Sequence, residues 1–272
     1  MKTYSMALAF VIGLVGGVSA QEPVDLTIAT GKAGGGYDKA AQTLGKVIGQ
    51  RGYSYVVDNY NGSKEISLKV CNNQANLGFM QIDALYAREM EGCTLEVIAS
   101  YGAEYAMMFV PPKSNIDELA DLTSSDKIIV DTVGSGSELW WDTVVGIETG
   151  DEGSGDDWAT AQVLRDTKII QAFALSKKNG VSAVIVVNKP NSDNIKKLLK
   201  AGWQLVELYD KDINDLQYNN GPLYDSLEIE VGESDVGFVT NWSYKVESFI
   251  AANEYVIDNS QLYDDLLNET NK

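Results

Sequence analysis

The chain contains no histidine. That absence removes Ser–His–Asp and Cys–His catalysis, histidine-rich metal centres and imidazole pH sensing from the functions open to it. Basic residues are scarce: 21 Lys and Arg stand against 39 Asp and Glu, a formal net charge of −18. Nucleic acid and anionic membrane surfaces would repel such a chain, so neither is expected as a partner. A small anionic solute is still allowed, because local donors outweigh a distant field that salt screens. There are only two cysteines, Cys71 and Cys93. Beyond residue 20 no apolar run is long enough to cross a bilayer, so the chain is not expected to be membrane-spanning.

Residues 1–20 read as a secretory signal. Lys2 supplies the positive end, 6–18 is an apolar run broken only by glycines, and Val18-Ser19-Ala20 is a small-residue cleavage site. No cysteine follows that site, so lipid attachment there is not indicated. A periplasmic or secreted location is expected. An oxidising compartment would let Cys71 and Cys93 form a disulfide; two buried free thiols are the alternative.

What is present begins with Leu26-Thr-Ile-Ala-Thr30, a β-branched and apolar strand that runs into Gly31-Lys-Ala-Gly-Gly-Gly36-Tyr37. Ala40, Ala41, Leu44, Val47 and Ile48 then fall at helical spacing. A strand, a glycine turn and a helix start place unpartnered amides where an anion can meet them. The glycines equally serve an ordinary βα turn. The order fits neither the dinucleotide fingerprint nor a P-loop.

The same alternation continues. Residues 53–60 read as a second strand ending at Asn61-Gly62-Ser63, and 75–81 as a third ending at Gln81-Ile82-Asp83, with a helix over 83–91. Strands follow at 95–100 and 105–110, closed by Pro111-Pro112. Beyond the prolines come a short helix at 116–122, a strand at 127–131, the turn Gly134-Ser135-Gly136-Ser137, and a helix from Glu138. The turn repeats the opening theme and reads as a second anion nest, with an ordinary N-cap as the alternative. The acidic glycine loop 149–157 fails the spacing of a calcium-binding hand, and no metal or cofactor is assigned. Helices are expected over 158–178, 193–201, 242–253 and 258–267, and strands at 183–187, 204–208, 227–231 and 236–239. Alternating strands and helices give an α/β fold with helix-covered parallel sheets, whose ligands sit beyond the carboxyl ends of the strands. Thr30-Gly31, Asn61, Ser63, Gln81, Asp83 and the 134–137 turn all lie at such ends. Asp83 and Asp131 could serve as acid or base, but no nucleophile–base spacing accompanies them, and an enzyme is not expected.

These blocks resemble the TAXI family of solute receptors, the periplasmic component of one class of tripartite (TRAP) transporters. The likeness rests on Ile28-Ala-Thr-Gly-Lys-Ala-Gly-Gly-Gly-Tyr37, Gly62-Ser63, Gly78-Phe-Met-Gln-Ile-Asp83 and Gly134-Ser-Gly-Ser137. It implies a two-lobed type II periplasmic binding fold with a hinge crossed twice. Lobe one would comprise 21–108 and 227–272, and lobe two 109–226. It also implies Thr30, Gly36, Tyr37, Ser63, Gln81, Asp83, Ser135 and Ser137 as ligand contacts, and integral membrane transporter subunits as partners. The expected ligand is a small anionic or zwitterionic solute, a carboxylate or an amino acid, with Tyr37 covering its apolar part. A phosphate or phosphonate receptor of an ABC-type importer is the alternative, against which Tyr37, Trp140 and Trp141 weigh. A ligand-binding sensor module is another.

Overall fold

A computed structural model of the protein describes residues 25–150, 153–175, 180–233 and 237–270. The segment read as a signal lies outside the described residues. The first part of the chain runs β1 (Asp25–Thr30), α1 (Gly36–Gln50), β2 (Ser54–Asn59), α2 (Ser63–Cys71), β3 (Leu77–Gln81), α3 (Ile82–Met90) and β4 (Glu96–Val110). It continues through β5 (Lys127–Ile129), α4 (Gly136–Glu148), β6 (Gln162–Val163), α5 (Ala172–Leu175), β7 (Val181–Asn188), α6 (Asp193–Lys200), β8 (Gln204–Val206) and α7 (Lys211–Asp215). A small ribbon of β9 (Gln217–Tyr218) and β10 (Gly221–Pro222) precedes β11 (Asp225–Glu233), β12 (Gly237–Ala252), α8 (Glu254–Asp258) and α9 (Ser260–Thr270).

The main sheet has the order β2-β1-β3-β12-β4-β7-β5-β6, with β11 added to β12 and β8 to β4. Two parallel groups, β2-β1-β3 and β7-β5-β6, flank an antiparallel centre made by β12 and β4. The inner strands of each parallel group, β1 and β3 on one side and β5 and β7 on the other, are largely buried, as their apolar residues require, and the edge strands β2 and β6 are half-buried or exposed. On one side, Leu26, Ile28, Leu77 and Phe79 pack with Ala41, Leu44 and Ile48 of α1 and with Leu262 and Leu266 of α9. On the other, Ile128, Val130, Ala183 and Ile185 pack with Trp140, Trp141 and Trp158.

Several sequence expectations are corrected here. The two strands expected at 95–100 and 105–110 are one, β4. The helix expected over 242–253 is the inner part of β12. Tyr244, Val246, Ser248 and Ile250 are buried alternately there, a period of two that aromatic and β-branched residues favour. The helix expected over 158–178 breaks into 3-10 turns at Asp157–Thr160 and Ile169–Gln171, the strand β6 and the short α5. Asp166, at a φ of 58°, is left-handed and cannot continue a helix, and β6 is captured by pairing with β5. Residues 176–178 of that expectation lie outside the described residues. The helix expected at 116–122 contracts to a 3-10 turn at Leu119–Asp121.

A disulfide joins Cys71, at the end of α2, to Cys93, just after α3, with a Cα–Cα distance of 6.1 Å. It closes a loop of 22 residues. Replacing both cysteines with alanine is expected to remove about 3 kcal/mol of stability in the chain-entropy account. Calorimetry should show a lower Tm for the double variant, and for the native chain after reduction.

Candidate functional site

A cavity of about 310 Å³ opens where the turns following β1, β2, β3, β5 and β7 converge on the middle of β4 and β12. The helices that start at its edge explain why. Gly35 and Gly36 begin α1, and Gly62 and Ser63 begin α2, and neither helix has a side-chain cap. Their first amides are therefore left to solvent or a ligand. The turn into α1 is set by Asp38, which accepts from Gly34 N (2.8 Å) and from Asn59 Nδ2 (2.9 Å). Those bonds hold its carboxyl below the usual carboxylate range.

The turn into α4 is built differently. Ser135 Oγ accepts from Glu138 N (3.1 Å), and Glu138 Oε2 accepts from Gly134 N (2.8 Å), a reciprocal cap. Glu138 is buried and meets Arg165 (2.6 Å) and Lys64 (3.5 Å). Lys64, from α2, also pairs with Asp142 at 2.8 Å, and Arg165 with Asp142 at 2.9 Å. These charges tie α2 to α4. At Gly62 a Cβ would lie 2.9 Å from Ser135 Cα and 3.0 Å from Gly136 N, so the two turns approach closely enough that only glycine fits.

The floor comes from β4. Ser248 pairs with Gly102 and Phe249 with Ser100, so Tyr101 is an extra residue, a β-bulge with Gly102 at a φ of 144°. Tyr101, Gly102, Ala103 and Glu104 all line the cavity. Glu104 Oε2 accepts from Tyr37 Oη (2.9 Å) and Gln81 Nε2 (2.8 Å). Tyr37 Oη, having given its proton to the carboxylate, accepts from Ser248 Oγ (2.8 Å). Burial raises the Glu104 carboxyl above its ordinary range, opposed by these two donors and by Lys189. Gln81 Oε1 is buried without a partner. Lys32 and Lys189 stand at the rim, Lys32 lying 3.9 Å from Asp131.

Among the sequence-predicted residues, Gly31, Gly36, Tyr37, Asn61, Ser63, Gln81, Ser135, Gly136 and Ser137 line this cavity. Thr30, Asp83 and Gly134 do not. Thr30 is fully buried in the sheet. Asp83 faces the core, where its Oδ2 accepts from the Tyr224 hydroxyl at 3.2 Å. Gly134 at a φ of 84° shapes the turn behind the lining residues. Trp140 and Trp141 are core residues, so the aromatic surface of the cavity is Tyr37 and Tyr101, stacked edge to face at 5.3 Å. Tyr37 also carries a polar role beyond cover, through its bond to Glu104. The sequence reading missed Glu104, Lys32 and Lys189. The isolated Gly102 within a β-prone run was the signal that could have found the first, since such a glycine marks a bulge.

The serine hydroxyls are not equivalent. Ser63 Oγ accepts from Gln81 N (3.2 Å) and Ser137 Oγ from Val187 N (2.9 Å), which leaves each with a proton to donate. Ser135 Oγ donates to Val130 O (3.3 Å) while capping α4, so its proton is committed.

No protein-family model matches the chain, and no curated protein matches it. Solved structures do. The substrate-binding protein of an amino acid ABC transporter aligns at 12% identity over 90% of this chain and 91% of its own, with a TM-score of 0.52. The alkanesulfonate-binding protein of Xanthomonas axonopodis pv. citri, bound to MOPS, aligns at 16% identity over 92% and 74%, with a TM-score of 0.51. A protein from Bordetella bronchiseptica RB50 aligns at 14% identity over 92% and 71%, with a TM-score of 0.53. The chain has the two-lobed α/β fold of periplasmic binding proteins.

Asp83 offers a test of the core beside the site. Burial pushes its carboxyl up to about 7. A raised folded-state value means its contribution is full below the ordinary carboxylate range and is lost as pH rises through about 7. Asp83→Asn, neutral throughout, should match the native Tm only below pH ~4, gain on it as pH rises from there toward ~7, and keep the full advantage above that.

Proposed function

We propose that this chain is an extracytoplasmic solute-binding protein that captures a small zwitterion of the amino acid class and presents it to integral membrane transporter subunits. The observation that carries the reading is a cavity lined by both acceptors and donors. The Glu104 carboxylate, with the unpartnered Gln81 Oε1 beside it, suits an ammonium group. The same cavity offers donors: the uncapped starts of α1 and α2, the Ser63 and Ser137 hydroxyls, and Lys32 and Lys189. These suit a carboxylate. The volume, about 310 Å³, is at the small end of ligand pockets. The protein binds and releases its solute unchanged.

The lobes of this reading meet where β4 and β12 cross, beside the Tyr101 bulge, and closing them buries the ligand. The signal-like 1–20 segment and the disulfide support an oxidising, extracytoplasmic setting. The 28–37 block favours a TRAP-type transporter as partner. An ABC-type importer is the second reading, favoured by the amino acid ABC transporter protein that shares the fold. A phosphate ligand is disfavoured by Glu104, since a carboxylate in the cavity repels a dianion.

Calorimetric titration of the chain with amino acids, dicarboxylates and inorganic phosphate tests this. Amino acids should bind, and a hundredfold excess over Kd should add about 2.7 kcal/mol to stability. Glu104→Gln should weaken amino acid binding tenfold or more. Because the Glu104 carboxyl must be ionised to hold an ammonium and its titration is raised, native affinity should fall with decreasing pH before ordinary carboxylates protonate. The Gln variant should lose that dependence. Binding of phosphate or dicarboxylates alone would overturn the zwitterion assignment. Gly62→Ala, whose added Cβ would meet Ser135 and Gly136, should weaken binding by holding the two turns apart.

A further inference from the structure

Helix α4 runs from the cavity at Ser137 to a second polar cluster at Glu148, its last residue, roughly 17 Å away at 1.5 Å per residue. The glycine-rich chain beyond it folds straight back. Gly155 N donates to Glu148 O (3.2 Å), and Gly153 packs so closely over the same carbonyl that no Cβ would fit. The fold-back delivers Asp156 beside Glu148, whose Oε1 accepts from Asp156 N (2.6 Å). Asp210 joins them from the start of α7. Its Oδ1 accepts the amides of Asp212 (2.8 Å) and Ile213 (3.1 Å), and its Oδ2 the indole Nε1 of Trp158 (3.2 Å).

One oxygen from each of Glu148, Asp156 and Asp210 lies within 4.8 Å of the others. Acidic clusters on a surface are usually solvated and hold nothing. This one has a buried member: Glu148 is 1% exposed, and its Oε2 has no hydrogen-bond partner. Among the described residues none of the three is ion-paired to a lysine or arginine; the nearby Lys211 pairs with Asp215 at 3.0 Å. A buried carboxylate oxygen with no donor, close to two further carboxylates, is a place a cation would satisfy.

We propose that Glu148, Asp156 and Asp210 form a binding site for a calcium ion in the second half of the chain, distinct from the ligand cavity. All three ligands are carboxylate oxygens, with no nitrogen or sulfur, which selects a hard divalent cation. Asp156 is exposed, so waters complete the shell from that side. The carbonyl end of α4 adds its negative partial charge. The ion pins the end of α4 to the fold-back loop and to α7, and so fixes the helix whose other end lines the cavity.

Terbium(III), a luminescent substitute for calcium, is the probe, with no solute added. The indole of Trp158 is bonded to a proposed ligand and lies 5.5 Å from Trp141, so it should sensitise emission from a bound ion. The native chain should show saturable sensitised emission at one ion per chain, displaced by calcium. Glu148→Gln should weaken that binding at least tenfold. Asp156→Asn, on the surface and outside the core, should do the same without affecting folding, and calcium should raise the Tm of the native chain but of neither variant. No saturable emission, or emission that both variants retain at native affinity, overturns the site. Amino acid binding is read separately and can fail or succeed independently of this outcome.

Discussion

A carboxylate drawn away from water must be held by donors or answered by a cation, and Glu104 places that requirement at the centre of the molecule. Tyr37 from α1 and Gln81 from the end of β3 both turn toward it, and Ser248 of β12 backs the tyrosine. Three elements far apart in the chain are thereby fixed around one group on β4. The bulge at Tyr101 is what allows β4 to offer Tyr101 and Glu104 to the cavity while continuing as the central strand. Two donors satisfy one oxygen of the carboxylate.

The cavity meets an anionic group with positive ends of helices rather than with arginine. Two of them, α1 and α2, are left uncapped by any side chain, and α4 is capped by Ser135 but braced by Glu138. The distinction is chemical. An uncapped start keeps its amides for a ligand, whereas the α4 turn is a rigid abutment against which Gly62 packs. Glu138, with Lys64 and Arg165 on it, makes the abutment and links it to α2. A net charge of −18 is no obstacle to an anionic group here, because the local field is set by these amides and by Lys32 and Lys189.

Much of this was legible before any coordinates. The strand, glycine turn and helix at 25–50, the polar turns at 61–63 and 81, and the Gly-Ser turn at 134–137 carried local signals that tertiary packing reinforced. The cysteines 71 and 93 were the only pair available. The parts that escaped share a cause: their character is set by neighbours distant in sequence. Residues 242–253 have apolar spacing compatible with a helix, but β3 and β4 offer edges on both sides, and pairing wins. Asp83 reads as a polar residue at a strand end, yet Tyr224, far along the chain, gives its carboxyl a partner inside the core. Glu104 is one acid among 39 Asp and Glu, and only the bulge distinguishes it.

The position of β12 has a consequence for the way the chain reaches this state. It is the last strand in sequence and yet lies between β3 and β4, in the middle of the sheet. A chain emerging from its N-terminus can form β1, β2 and β3, and separately β4 with β7, but the two groups have no common ladder until residue 252 is available. Pairings of that sequence separation are slow to form, and until then two unpaired edges stay open to other chains. Folding of this protein is therefore expected to be governed by the arrival of its final strand, with the cleft floor and its carboxylate assembled in the same late step.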